Sequence, residues 1–267
     1  MGLRLDGRSA LLTGASGGIG NAIARALAGR GARVLLSGRR VEELEALAAE
    51  LGHGVEVARA DLAERADVAA LAERAAGVDV LVANAALPAS GRIEDFTPEE
   101  IDRALDVNLR APIQLTRALM PGMVEREAGH LVFISSLSGK VASPGSGLYS
   151  ATKFGLRAFA AGVREDRHGS GVGVTTVFPG FISNAGMFAD ADVKLPPGVG
   201  TRTPEQVAEA VVRGIEHDKA EIDVAPLQLR AGAMAAAVSP SLSSRVQRLL
   251  GARGLTDQIA RGQSSKR

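Results

Sequence analysis

Short β-branched or leucine-rich runs recur along the first half of this chain, with helical patterns filling the gaps between them. The runs lie at 9–13 (SALLT), 32–37 (ARVLLS), 54–60 (GVEVARA) and 78–84 (VDVLVAN). Between them, NAIARALAGRG and VEELEALAAELG repeat apolar positions at helical spacing, and both finish at glycine, a common C-terminal stop. Alternation of strands and helices at these lengths builds βαβ units, and hence an α/β fold whose parallel sheet is covered on both faces. The pattern continues past residue 90. Thr97-Pro98-Glu99-Glu100 reads as an N-cap, a proline at the first helical position and a capping-box glutamate, opening a helical stretch to about Arg126. A strand at 130–136 (HLVFISS), a helix from near Tyr149 and a strand at 172–178 (VGVTTVF) follow. Thr203-Pro204-Glu205-Gln206 repeats the capping signature and starts a helix to about His217, and 220–225 (AEIDVA) supplies a seventh strand. No linker or repeat divides the chain. Residues 1–261 therefore read as one domain, with 226–261 a helical extension of two short helices and 262–267 a disordered tail.

The charges argue against several partners. Lys and Arg number 31 against 30 Asp and Glu, a formal net charge of +1, which offers nucleic acid or an anionic membrane no electrostatic footing. With no cysteine, thiolate nucleophiles, disulfides and zinc–thiolate sites are excluded, and the composition fits a cytoplasmic protein. His53, His130, His168 and His217 lack ligand spacing, so no metal site is expected. The N-terminal apolar run stops at a glycine-rich turn and reads as a strand, not a secretory signal. The run at 231–244 is too short and too polar to span a bilayer.

That glycine-rich turn, TGASGGIG at 13–20, sits between the first strand and the first helix. Gly14, Gly18 and Gly20 form a G-x-x-x-G-x-G pattern, and with Ser16, Gly17 and Ile19 they bring backbone N–H groups to a helix N-terminus where a pyrophosphate can sit. The end of the second strand selects the dinucleotide. NAD sites usually place a carboxylate there for the ribose 2′-hydroxyl, whereas this chain has Ser37-Gly38-Arg39-Arg40. A guanidinium binds a 2′-phosphate that a carboxylate would repel. NADP(H) is therefore favoured over NAD(H), with Arg39 as the phosphate contact.

The chain has a single tyrosine, Tyr149, and Lys153 follows it at i+4 on a predicted helix, one turn away on the same face. A phenol with a pKa of about 10 is a poor base at neutral pH. A cation at about 4 Å supplies roughly 4 kcal/mol at an effective dielectric near 20, enough to bring phenolate chemistry within reach. Tyr149 can then give or take a proton at a substrate oxygen while hydride moves to or from carbon, with Ser136 hydrogen-bonding that oxygen.

Together these motifs resemble the short-chain dehydrogenase/reductase family in its single-domain branch, over about residues 5–224. The resemblance implies a doubly wound seven-stranded Rossmann sheet and an active site of tyrosine, lysine, serine and asparagine. Tyr149 and Lys153 match the family's Y-x-x-x-K, Ser136 in ISSLSG its substrate-orienting serine, and Asn108 in LDVNLRAP the asparagine of its proton relay. Lys153 would also hold the nicotinamide ribose. In DVLVANAA, Asn84 and Ala85 match the family's N-N-A-G, while Ala83 and Ala86 depart from it. Asp61 and Leu62 match the pair beside the adenine, and Pro179, Gly180 and Ile182 the segment flanking the nicotinamide. Asn184 stands where the family usually has threonine.

The long segment after Gly180 reads as a substrate lid, with Phe181, Met187, Phe188, Val193 and Leu195 suggesting an apolar pocket. Leu87 to Arg92 would form another wall. The expected substrate is an apolar ketone, aldehyde or secondary alcohol, with a 3-oxoacyl thioester as the runner-up. A nucleotide-sensing or assembly protein without turnover is the non-enzymatic alternative. By resemblance, the chain would form a homodimer or homotetramer through helices spanning about 98–126 and 149–168.

Overall fold

The computed structural model describes residues 2–183 and 200–239, with isolated positions at 241, 258 and 262. Seven parallel strands form one sheet: β1 (Ser9–Thr13), β2 (Arg33–Gly38), β3 (Val55–Arg59), β4 (Val80–Ala83), β5 (Gly129–Ile134), β6 (Val172–Pro179) and β7 (Glu221–Val224). Their spatial order is β3-β2-β1-β4-β5-β6-β7. Strand β1 is paired on both sides, Leu12 opposite Leu36 of β2 and Val82 of β4. The winding direction therefore reverses between β1 and β4, which opens a crevice at the carboxyl ends of those strands.

Strand periodicity divides the core into two layers. Ala10 and Leu12 of β1 face one side, where they pack with α1 (Gly18–Ala28), α2 (Val41–Leu51) and the helix Pro204–His217, here α7. Leu11 faces the other side, with α3 (Arg65–Arg74), α5 (Ala111–Glu125) and α6 (Gly147–Asp166). A smaller cluster of Ala89, Phe96, Ala104 and Leu148 joins α4 (Pro98–Leu105) to the start of α6. The last described helix, α8 (Leu227–Val238), is the first of the two expected in the extension; the second lies outside the described residues.

Both predicted capping boxes form. The Glu100 N–H donates to Thr97 Oγ1 at 3.2 Å and the Thr97 N–H to Glu100 Oε2 at 3.0 Å. Thr203 and Gln206 make the same reciprocal pair at 3.0 and 3.4 Å. The long helix expected to run to Arg126 is not uniform: one π-helical turn, Asp106–Arg110, separates α4 from α5 and carries Asn108. Such turns insert a residue into the helical ladder and re-aim the side chains they carry. Among the described residues, no helix is long and apolar enough to cross a membrane, and no group of three or more His, Cys, Asp or Glu could hold a metal ion.

Candidate active site

Thr13 ends β1 and governs the crevice. Its hydroxyl accepts the N–H of Asn84 at 3.1 Å and of Ala85 at 3.2 Å. Asn84 returns two bonds, its Nδ2 donating to the carbonyls of Thr13 at 3.0 Å and Gly14 at 3.1 Å. The ends of β1 and β4 are thus stitched together where the glycine turn begins. Gly14 has φ +66°, and a Cβ there would lie 2.7 Å from Ala85 Cα, so only glycine fits. A Cβ on Gly20 would collide with the Gly14 carbonyl oxygen, which is why α1 can start so close beneath the turn. Gly17 is the N-cap; α1 has no side-chain cap and no acid in its first turn, so Gly18, Ile19 and Gly20 present a positive helix end. Asn21 fixes the turn from below, its Nδ2 donating to the Ala15 carbonyl at 2.7 Å. These are the features a pyrophosphate needs, and the residues present fit one.

At the end of β2 the two arginines separate. Arg40 donates to the Ser16 carbonyl at 2.9 Å and to Glu43 at 2.7 Å, so it braces the turn. Arg39 is half exposed, and its ion pair with Asp61 is long, at 3.8 Å. Asp61 lies after β3, with Leu62 beside it buried in the second core layer. Burial pushes the Asp61 carboxyl up, but the Ala63 N–H and the guanidiniums of Arg103 and Arg39 outweigh it and hold the group below its ordinary range.

On the far side of the crevice, Ser136 follows β5 in extended conformation and accepts the Ser138 N–H at 3.1 Å, leaving its own proton to donate. It hydrogen-bonds the phenol of Tyr149. Tyr149 sits on the first turn of α6, against the small apolar cluster, and its N–H donates to the Ala89 carbonyl at 3.2 Å. The expected wall at 87–92 is stitched to α6 by this bond and by Gly91 N–H to the Gly145 carbonyl at 2.7 Å. Lys153 is 2 % exposed and donates to the Ile134 carbonyl at 2.9 Å.

The electrostatics differ from the simple lysine–phenol pairing. Lys153 Nζ lies 5.7 Å from the centroid of the Tyr149 ring, and burial lowers the ammonium to about 8. Burial also pushes the phenol up, to about 12, against the smaller opposing effect of Ser136. Desolvation therefore dominates over the Ser136 hydrogen bond in this arrangement, and the phenol is held protonated at neutral pH.

Asn108 is buried and fully engaged. Its Oδ1 accepts the Leu87 N–H at 2.6 Å, and its Nδ2 donates to the Leu87 carbonyl at 3.0 Å and to Thr152 Oγ1 at 3.4 Å. The π turn aims this carboxamide at the strand leaving β4, so its side chain holds Leu87 rather than reaching Tyr149. Gly180 follows Pro179 and donates to the Val224 carbonyl at 3.0 Å; Ile182 is buried and bridges to Arg202. Asn184, Met187, Phe188, Val193 and Leu195 lie outside the described residues.

Several residues that order the site lack an obvious sequence signal. Ser135 Oγ donates to the Lys153 carbonyl at 3.1 Å, tying the serine segment to α6. Lys140 bonds Asp223 Oδ1 at 2.7 Å and lies 3.0 Å from Glu221 Oε2, while Arg157 of α6 donates to Glu221 Oε1 at 2.7 Å. The serine loop and the tyrosine helix thereby share one carboxylate on β7, Glu221, and Asp223 holds the loop as well. Only Asn21 left a trace in the sequence, as a poor helix former within the first turn of a helix.

The short chain dehydrogenase family model matches residues 8–194. Over 228 residues the chain is 36% identical to the ketoacyl reductase HetN of a Nostoc species, covering 82% of this chain and 79% of that protein. It is 37% identical over 218 residues to the NADP-dependent 3-hydroxy acid dehydrogenase YdfG of Salmonella typhi, covering 75% and 86%. A short-chain dehydrogenase from Sphingobium yanoikuyae, solved in complex with NADPH, superposes with a TM-score of 0.77 at 29% identity, covering 92% of this chain and 94% of that one. The seven-stranded parallel sheet agrees with these matches: the chain is an oxidoreductase belonging to the short-chain dehydrogenase family.

Proposed function

We propose that this protein is an NADP(H)-dependent carbonyl reductase in which Tyr149 delivers the proton. The observation that carries the reading is the buried, protonated phenol hydrogen-bonded by Ser136 beside the Lys153 ammonium. When bound, the nicotinamide supplies or accepts the hydride. The protein's part is to bind, orient and move a proton. Gly14, Ser16, Gly17, Gly18, Ile19 and Gly20 would hold the pyrophosphate, and Arg39 the 2′-phosphate. Asp61, Leu62, Asn84, Ala85, Pro179, Gly180 and Ile182 would flank the rest of the dinucleotide. Ser136 donates to the substrate carbonyl oxygen and fixes it near the phenol; Tyr149 protonates that oxygen as negative charge develops on it. The Lys153 ammonium stabilises the resulting phenolate, which its burial makes more effective than an exposed lysine would be. Asn108 contributes by holding Leu87, and through it the wall beside Tyr149.

A phenol held up to about 12 is protonated at neutral pH, the starting state from which Tyr149 can donate to a substrate oxygen. The wall segment 87–92 is backed by a buried apolar cluster of Ala89, Phe96, Ala104 and Leu148. A 3-oxoacyl thioester is the substrate class that the relatives' names favour, the curated ketoacyl reductase HetN among them. A simpler apolar ketone fits the same wall.

Titration of the purified protein with NADPH and NADH, followed by nicotinamide fluorescence, tests the cofactor reading; the chain has no tryptophan to interfere. NADPH is expected to bind at least about tenfold more tightly, a difference of about 1.4 kcal/mol. Equal affinities, or a preference for NADH, would remove Arg39 from the phosphate.

We also read the outer faces of α5 and α6 as a subunit interface. An apolar groove of about 570 Å³ runs between them, lined in part by Ile113, Met120, Val124, Phe159 and Val163. Sedimentation should report a dimer or tetramer, and Met120→Asp should shift it toward monomer. A monomeric parent protein would end this reading.

A further inference from the structure

We propose that Arg103, on α4, sets the preference for a 2′-phosphorylated dinucleotide by neutralising Asp61, which leaves Arg39 to the phosphate. The inference rests on the reading of Arg39 as the 2′-phosphate contact.

Among the described residues, Asp61 is the carboxylate paired with Arg39 and so competes with such a phosphate, at 3.8 Å from Arg39 Nη1 through Oδ2. It is fixed where it stands. Its own N–H donates to Asp67 Oδ2 at 2.8 Å, and its Oδ1 accepts the Ala63 N–H at 3.1 Å. The carboxylate is 19% exposed, so water screens it weakly. Any anion that Arg39 holds lies within a Debye length of it, about 10 Å at 0.1 M salt.

Arg103 answers this charge from the opposite direction. Its Nη2 donates to the same Oδ2 at 2.9 Å, closer than Arg39 comes. The backbone behind it is anchored, because neighbouring Ala104 is buried in the cluster that also holds Phe96 and Leu148. Arg103 is 31% exposed against 53% for Arg39, so the better-buried guanidinium satisfies Asp61 and the more exposed one stays available. Without Arg103, Asp61 would capture Arg39 and repel the phosphate together. A dinucleotide with a free 2′-hydroxyl feels neither effect, so Arg103 acts on the ratio of the two affinities. It is a positioning residue, acting through Asp61 and Arg39.

Dissociation constants for NADPH and NADH would be measured for the parent protein and for Arg39→Ala, Arg103→Gln, Arg103→Lys and the pair Arg103→Gln/Asp61→Asn. Arg103→Gln is expected to weaken NADPH about tenfold and NADH less than about twofold. Arg103→Lys should keep the preference within about threefold, and adding Asp61→Asn should return the ratio toward that of the parent. If Arg39→Ala erases the preference while Arg103→Gln leaves it intact, the role of Arg103 is refuted and that of Arg39 stands. Equal weakening of both dinucleotides by Arg103→Gln also refutes it, since a purely structural part moves both. A preference untouched by Arg39→Ala overturns the underlying reading instead.

Discussion

Replacing Tyr149 by phenylalanine is expected to lower kcat by roughly 10³-fold while cofactor affinity stays within a few-fold. The change removes one oxygen from a ring that the apolar cluster of α4 and α6 continues to hold. What is lost is the phenolic proton donor hydrogen-bonded to Ser136, and Ser136 alone cannot protonate a developing alkoxide at neutral pH. The composition provides a direct check on the assigned state. With one tyrosine and no tryptophan, phenolate absorbance reports Tyr149 alone. The cofactor-free protein should show no phenolate through pH 10, where an ordinary phenol is half ionised. Phenolate appearing near neutral pH would contradict the dominance of burial. Substantial turnover by Tyr149→Phe would take the phenol out of the chemistry altogether.

The second large effect lies at the opposite end of the sheet. His130 on β5 is buried, with Nε2 2.8 Å from Thr175 Oγ1, and that hydroxyl donates its proton to the Lys219 carbonyl at 2.7 Å. The ring must therefore donate from Nε2. Burial lowers it to about 4 from its ordinary 6.5; Asp218 opposes this and Arg164 adds to it. A base whose folded pKa is depressed stabilises the fold fully above the unfolded value. That stability is lost as pH falls from about 6.5 toward 4, because the unfolded chain takes up the proton first. The loss from this group amounts to about 2 kcal/mol between pH 7.5 and pH 5. Denaturant unfolding at the two pH values should show it, and His130→Gln should flatten the slope while keeping a donor to Thr175. An identical pH dependence in both proteins would exclude His130 as its source.

The elements that alternation and capping predict correspond to observed ones because those signals are local. Strand ends agree within a few residues, and Thr97 and Thr203 cap where they should. Helix α3 was not among the helices quoted from sequence, and its face is only weakly apolar, with Val68 and Leu71 its buried residues. The π turn at Asn108 left one trace, Pro112 close behind it as a sign of helix irregularity, but its geometry was not legible. Within the site, the glycine turn and the Tyr149–Lys153 spacing were legible because each is set by a few consecutive residues. The division of labour between Arg39 and Arg40 was not, because it depends on Ser16, Glu43 and Asp61 arriving from other elements. Burial strong enough to reverse the expected direction of the Tyr149 shift is likewise a property of the assembled layers.

The shared fastening of Lys140 and Arg157 to β7 has a mechanical consequence. Ser136 and Tyr149 lie on segments tied to one strand through Glu221, so a displacement of β7 would carry the hydroxyl and the phenol together. Across the crevice, Arg39 after β2 and Arg103 of α4 likewise converge on one carboxylate, Asp61. Each side of the crevice is thus pinned at one shared acid, the point where a single substitution would loosen two elements together.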